Sequence, residues 1–238
     1  DETFWSGVLK EGTLKYSDKN HRLLVKLAEH GIVHSVCSNN NEVDVAAVLK
    51  QHDVEQYFVF SKISWGSKGP MVKAIIESFQ LRPQSVLFLD DNSRIRKEVE
   101  FFNPGVSTLD PLDFFKIDEN ILVPKDKSLK KIAEYKLLER KFKAQLESNS
   151  SNEQFLRESS IQINYSKLTE NYLGRVSDLI SKTNQLNFTK IRLSETDLKL
   201  IVNNEQLDNK VIQVRDKYGD YGICGFYSLN KRENRLIH

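Results

Sequence analysis

The chain has 238 residues, room for one large domain or two small ones, and its 39% hydrophobic content is enough for a core. Its 35 Lys and Arg against 33 Asp and Glu leave a net charge of +2, too even a balance to argue for a nucleic-acid partner. No apolar run approaches the roughly 20 residues that cross a membrane, and the acidic, aromatic start is no signal peptide.

Cys37 and Cys224 are far apart, and the five histidines show no metal-ligand spacing. Two such cysteines make neither a disulfide framework nor a metal cluster, so a reducing, cytosolic setting is expected. Asp1-Glu2-Thr3 reads as the polar end of a strand, which implies that the chain begins part-way into a domain. Val8 to Tyr16 alternates around Glu11-Gly12 and predicts a short hairpin. Ser17 is a good N-cap for a helix that buries Leu23, Leu24, Leu27 and Ala28 and stops at Gly31. Ile32 to Cys37 predicts a buried strand ending in Ser38-Asn39-Asn40-Asn41, and a helix follows from Glu42 to His52. Tyr57 to Phe60 predicts a short strand and Ser61 to Gly69 a loop. Pro70 suits the first turn of a helix reaching Gln80.

Val86-Leu87-Phe88-Leu89 suits a strand buried on both faces. It runs into Asp90-Asp91-Asn92, a helix from Ser93 to Phe102 and a last strand near Val106 to Leu109. Such alternation predicts an α/β fold with parallel βαβ units in a doubly wound sheet, and ligands in such sheets bind beyond the carboxyl ends of the strands. Two adjacent carboxylates there repel each other unless a cation neutralises them, and Mg²⁺ takes oxygen ligands of this kind. The plainer alternative is that Asp91 or Asn92 caps the next helix.

Asp110 to Pro124 reads as a linker. Lys125 to Glu147 is an amphipathic helix with Leu129, Ile132, Leu138, Phe142 and Leu146 near one face, and it carries eight basic and four acidic residues. A solvated helix face accounts for that charge, and docking of an acidic partner is the alternative. Ser151-Asn152-Glu153-Gln154 opens a further helix with a capping box. Ile161 to Tyr165 reads as a strand, Leu173 to Ser181 as a helix, and Ser194 caps a helix to Val202. Val211 to Val214 and Ile223 to Tyr227 read as strands joined through Tyr218-Gly219-Asp220-Tyr221-Gly222. The predicted division is residues 1–115, a helical linker over 116–160, and a smaller α+β unit over 161–238.

Four polar clusters, Asp1-Glu2-Thr3, Ser38-Asn39-Asn40, Lys68 and Asp90-Asp91, should open onto one sheet edge. Phosphoryl transfer needs a carboxylate nucleophile, an acid/base, donors for the phosphate oxygens, a cation and a carboxylate-held Mg²⁺. Lys68 adds a hint, because a cation near a helix N-terminus opposes the macrodipole and calls for a nearby anion or an exposed position.

In this order the clusters resemble the haloacid dehalogenase (HAD) superfamily, whose pattern runs D-x-D-x-T, then Ser or Thr, then Lys, then an acidic pair. Response-regulator receivers use similar parts in a different order. The match is closer to the FkbH-like branch of the capless subfamily. It is carried by Thr3-Phe4-Trp5-Ser6-Gly7, Val36-Cys37-Ser38-Asn39-Asn40-Asn41, Ile63-Ser64-Trp65-Gly66-Ser67-Lys68 and Phe88-Leu89-Asp90-Asp91-Asn92. It continues at Thr183-Asn184-Gln185-Leu186-Asn187-Phe188 and at Arg215-Asp216-Lys217-Tyr218-Gly219-Asp220-Tyr221-Gly222.

The resemblance implies a HAD-like Rossmannoid sheet followed by an acyltransferase-like (GNAT-like) α+β domain. It makes Asp1 the general acid/base, with its carbonyl on Mg²⁺, and Thr3 the brace of that loop. Ser38 bonds the phosphoryl oxygens, Lys68 neutralises the phosphoaspartate, and Asp90 and Asp91 hold Mg²⁺. The nucleophile is expected two residues before Asp1. Asn39, Asn40 and Trp65 are expected against the substrate, although Asn39 stands where the branch often has Lys. Trp5 and Trp65 are read as site walls, with packing the safer alternative. Cys37 is either an acyl-carrying thiol or a core residue.

Between Asp1 and Ser38 lie 36 residues and between Ser38 and Lys68 another 29, with no space for a cap domain. No glycine-rich CoA turn follows Tyr227, so the GNAT-like domain is expected to be incomplete or not to bind CoA in that way. The implied activity is Mg²⁺-dependent. It takes glyceryl from 1,3-bisphosphoglycerate, a phosphorylated small acid, releases phosphate and loads an acyl carrier protein. The rivals are a plain phosphatase of polysaccharide or secondary metabolism and a non-catalytic phosphate- or carrier-binding module.

Overall fold

The computed structural model describes residues 1–148, 150–183, 186–232, 235–236 and 238, and the chain divides into two units, Asp1–Arg140 and Lys141–His238. The first unit opens with one antiparallel bridge, Ser6 to Lys15, around a 3-10 turn at Leu9–Glu11 that Gly12 closes at φ 67°. The segment folds back as predicted but curls into a turn rather than two strands. The Thr13 hydroxyl accepts from the Val8 amide at 2.9 Å and takes the place of a ladder bond. Helix α1 (Asp18–Glu29) follows its predicted cap, with the Ser17 hydroxyl accepting from Asn20 N at 3.2 Å, and it buries Leu23, Leu24, Leu27 and Ala28.

Strand β1 (Cys37–Ser38), helix α2 (Glu42–Gln51) and strand β2 (Lys62–Ile63) come next. β1 and β2 pair in parallel as Cys37 with Lys62, and upstream His34 bridges Phe58. The offset rises from 24 (58 − 34) to 25 (62 − 37), and the extra residue is accommodated where Phe60 takes φ 52°. The Phe60 amide is satisfied by Glu139 Oε1 at 2.8 Å. The bulge corrects two predictions: the strands over Ile32 to Cys37 and Tyr57 to Phe60 shrink to a bridge and a two-residue ladder, and β2 lies inside the expected loop.

Helix α3 (Lys68–Phe79) starts two residues before Pro70, which places Lys68 in its first turn. β3 (Leu87–Leu89) pairs in parallel with β4 (Ser107–Leu109) across α4 (Ser93–Phe102). Phe88 points inward but Leu87 is 46% exposed, so β3 is covered on one face rather than two. Val72, Ile76, Phe88, Val99 and Val106 form the core beneath it. The expected linker is structured, with α5 (Pro111–Phe114) and a 3-10 turn at Glu119–Ile121.

Helix α6 (Lys130–Glu147) runs across the division between units. It begins after Leu129, at φ 52°, where Asp126 accepts from Lys130 N and Lys131 N at 2.9 and 2.8 Å. It buries Ile132 and Leu137, whereas Leu138, Phe142 and Leu146 are exposed, which corrects the predicted apolar face.

The second unit has α7 (Asn152–Glu158), β5 (Gln162–Lys167), α8 (Leu173–Lys182) and α9 (Glu195–Val202). They are followed by β6 (Leu207–Asp216), β7 (Gly219–Asn230) and β8 (Arg235–Leu236). The strands form an antiparallel sheet in the order β5-β6-β7-β8. Leu173, Val176 and Ile180 of α8 and Leu198 of α9 pack on Val211 and Ile223 of the sheet. Asn184 and Gln185 of the Thr183 to Phe188 motif lie outside the described residues. Parallel pairs alternating with helices in one unit and a smaller α+β unit after it are the expected fold class.

Candidate functional site

Short strands place polar residues at their carboxyl ends, where the backbone leaves the ladder and side chains can converge. Ser38 ends β1, and Asn40 sits two residues on, 6% exposed. Asn40 Nδ2 donates to Ser38 Oγ and to Asp1 Oδ2, each at 3.0 Å. The other Asp1 carboxylate oxygen accepts from Trp5 Nε1 and from the Leu9 amide, also at 3.0 Å each. Three donors from three segments thus fix the Asp1 carboxylate.

The second half of the cluster is built on β3 and α3. Asp90 is 2% exposed, and its Oδ2 accepts from Lys68 Nζ at 2.8 Å. Its Oδ1 accepts from Asn92 N at 2.9 Å. Asn92 itself caps α4 through Arg94 N, so capping falls to Asn92 and leaves both aspartates to other work. Cys37, next to Ser38 on β1, packs against the core beneath β3 and feels the charges of Lys68 and Asp90, so the two hydrogen-bonded halves share one neighbourhood.

The remaining predicted residues differ in placement. Asp91 is exposed beside Asp90, and Thr3 is half-buried with no hydrogen bond to its hydroxyl among the described residues. Asn39 is half-buried, with Oδ1 enclosed and unpartnered. Trp65 is 68% exposed, and Lys10 Nζ sits 5.8 Å from its ring centroid. That contact closes an arch between two segments that each bond to the cluster. One foot is the Leu9 amide on Asp1, and the other is Ser64 N on Ser38 O at 3.1 Å. Trp5 is buried and packs with Leu24 and Phe58 while its indole N–H holds Asp1, so it is both wall and core. Burial pushes the Cys37 thiol up to about 11, against a smaller downward pull from Lys68, and the sulfur keeps its proton at neutral pH.

Two residues that pattern reading missed hold the cluster from behind. Arg96 Nη1 donates to the carbonyls of Asp90 and Asp91 at 2.6 and 3.1 Å and to Asp110 Oδ2 at 3.2 Å. Glu98 Oε1 accepts from Ser67 Oγ at 2.5 Å and from Gly69 N at 2.7 Å. Both lie on α4, and the only signal available was helical spacing from the Asn92 cap.

Among the described residues no three His, Cys, Asp or Glu side chains gather to hold a metal by themselves. The oxygen donors at the end of β3 are the carboxylates of Asp90 and Asp91. Such a set fits Mg²⁺, which keeps several waters and takes one or two carboxylates, better than a softer metal.

No protein-family model matches this chain, and no curated protein matches it. Among solved structures it is similar to the N-terminal part of the protein BF1531 from Bacteroides fragilis, which contains a phosphatase domain complexed with Mg. The identity is 24% and the TM-score 0.44, over 49% of this chain and 36% of that one.

Proposed function

We propose that the cluster around Asp1, Ser38, Lys68 and Asp90 handles a phosphoryl group, as the site of a Mg²⁺-dependent phosphatase of the HAD type. The observation that carries this reading is the Lys68–Asp90 pair at 2.8 Å, near the β1 end that bears the Asp1–Asn40–Ser38 network. A buried ion pair is costly to desolvate and is weak evidence for stability, so its presence at a strand end favours a functional account.

In this reading Ser38 Oγ and Lys68 Nζ bind the phosphate oxygens, and Asp90 and Asp91 with the Asp1 carbonyl hold Mg²⁺. The ion, when bound, offsets the charge of the phosphate. Attack on phosphorus is assigned to an aspartate two residues before Asp1. The P–O bond to the leaving group breaks as Asp1, oriented by Trp5, Leu9 and Asn40, gives it a proton. Asp1 then takes a proton from the water that attacks the phosphoaspartate, releasing inorganic phosphate. The finer form of the proposal adds transfer of glyceryl from 1,3-bisphosphoglycerate to an acyl carrier protein: the carrier's thiol attacks the acyl carbon, the C–O bond to the 1-phosphate breaks, phosphate leaves with the thiol's proton, and the phosphoaspartate route removes the 3-phosphate. Burial keeps the Cys37 thiol protonated and packed against the core, and this reading assigns it no role.

The test is phosphate release by the full-length protein from a panel of phosphorylated small acids, with Mg²⁺ or with EDTA. Turnover should require Mg²⁺, and Lys68→Ala should lower kcat by about a hundredfold, the scale of losing a preorganised charge contact. Turnover indifferent to both EDTA and Lys68→Ala would overturn the reading.

A further inference from the structure

Helix α3 starts in an unusual way. Its N-cap Ser67 makes no side-chain cap bond, its first turn carries no acid, and Pro70 at the third position has no amide to offer. Lys68, at the first position, puts a positive charge where the macrodipole is already positive. Such an end needs an anion, and α4 supplies one from across the helix pair. Glu98 Oε1 takes the Gly69 amide at 2.7 Å, and the Ser67 hydroxyl turns away from its own helix to donate to the same oxygen at 2.5 Å. These donors hold the Glu98 carboxyl below the usual carboxylate range, the Ser67 hydroxyl first and the Gly69 amide second.

Two more contacts from α4 grip the same residues. Asn103 Nδ2 donates to the Gly69 carbonyl at 3.0 Å. The Phe102 ring lies so close over Gly69 that a Cβ there would sit 2.4 Å from Phe102 Cδ2. The backbone at Gly69 is therefore fixed on several sides by α4 and its C-cap, whereas among the described residues the Lys68 side chain is hydrogen-bonded at its tip, to Asp90. A lysine stem has four rotatable bonds, and holding its ammonium at one point requires a fixed origin as well as a partner. Capping alone would be satisfied by the Ser67 hydroxyl turned onto its own helix, with no reach between helices.

The geometry points to Glu98 as a positioning residue that sets Lys68 for contact with the phosphoryl group. This inference rests on the reading of the cluster as a phosphoryl site. Glu98 touches neither substrate nor metal in that reading. It acts by anchoring the helix end from which the ammonium projects and by adding a second carboxylate to the field around it.

The test is a double-mutant cycle in the full-length protein, reading kcat and KM for p-nitrophenyl phosphate with Mg²⁺, and Tm in parallel. Glu98→Gln should lower kcat about tenfold with KM within about twofold, a loss on the scale of a small misplacement of a reacting group. In a Lys68→Ala background the same substitution should change kcat by less than about twofold and still lower Tm as it does alone. Ser67→Ala, a milder change, should lower kcat about threefold with the same dependence on Lys68. Losses that multiply independently of Lys68, or an unchanged kcat in both single variants, would overturn the inference and leave the phosphoryl reading standing. If Lys68→Ala itself leaves turnover unchanged, the inference falls, and the phosphoryl reading falls with it where EDTA also leaves turnover unchanged.

Discussion

Lys68 and Asp90 show how one contact can be decided by its surroundings. At 2.8 Å, with side chains 16% and 3% exposed, the pair sits where water screens little and a lost partner leaves an uncompensated charge. Asp90→Asn should therefore cost both stability and any Mg²⁺-induced rise in Tm, since an ion stabilises only the state it binds. A Mg²⁺ response that survives the substitution would remove Asp90 from the metal site. His34 is the other buried ionisable group of consequence in the first unit. Both ring nitrogens are enclosed without a partner, and burial pushes the imidazole from 6.5 down to about 4. Its folded value lies below its unfolded one, so folding is favoured by neutrality. That contribution is intact above pH 6.5, falls as pH drops toward 4, and changes no further below it. The full loss is about 3 kcal/mol at 1.36 kcal/mol per pH unit. Chemical denaturation at pH 7 and pH 5 should show a shallower loss for His34→Leu than for the wild type. Equal losses would show that another group dominates the acid response.

At the scale of elements, capping residues were the most legible feature. Ser17, Asn92, Ser151 and Ser194 each accept the backbone bond that an N-cap should, because a cap depends on its own helix and little else. Strands were less legible, since their extent depends on partners far away in sequence. The bulge at Phe60 and the open face of Leu87 have no local signature. In the candidate site, Asp1, Ser38, Asn40, Lys68 and Asp90 could be found because strand ends recruit polar residues. Arg96 and Glu98 could not, because a charge on a helix reads as solvated until its neighbour across the pair is known. Asp216, at the end of β6, illustrates the same limit. Its side chain is fully enclosed and accepts from Lys141 Nζ and Tyr221 OH at 2.8 Å each and from Tyr218 N at 2.9 Å. Burial alone would raise its pKa, but these donors together hold it below the ordinary value. Asp216→Ala removes the one acceptor they share and leaves a partly buried ammonium unpaired, which should cost about 3–5 kcal/mol in urea denaturation. A loss under about 1 kcal/mol would mean that water replaces the carboxylate at little cost.

The whole first unit bears on what kind of substrate could reach the cluster. Between Asp1 and Ser38 the chain is occupied by a 3-10 turn and α1, and between Ser38 and Lys68 by α2, another 3-10 turn and β2. Each element contributes to the packed core, with Leu24 of α1, Val45 and Leu49 of α2 and Phe58 in one cluster around Trp5. Neither connection carries an inserted domain, and the Lys10–Trp65 arch joins the two segments that bond to Asp1 and Ser38. An arch made of two exposed side chains can move aside at small energetic cost, unlike a folded lid that must hinge. In the proposed reading, selectivity against large leaving groups should therefore be weak. Across phosphate monoesters with leaving groups of similar pKa and increasing bulk, kcat/KM should vary by less than about tenfold, the scale of one or two side-chain contacts. Trp65→Ala should flatten the remaining variation without lowering kcat for the smallest ester. A loss of a hundredfold or more across the series in the wild type would mean that something encloses the substrate more tightly than the arch does.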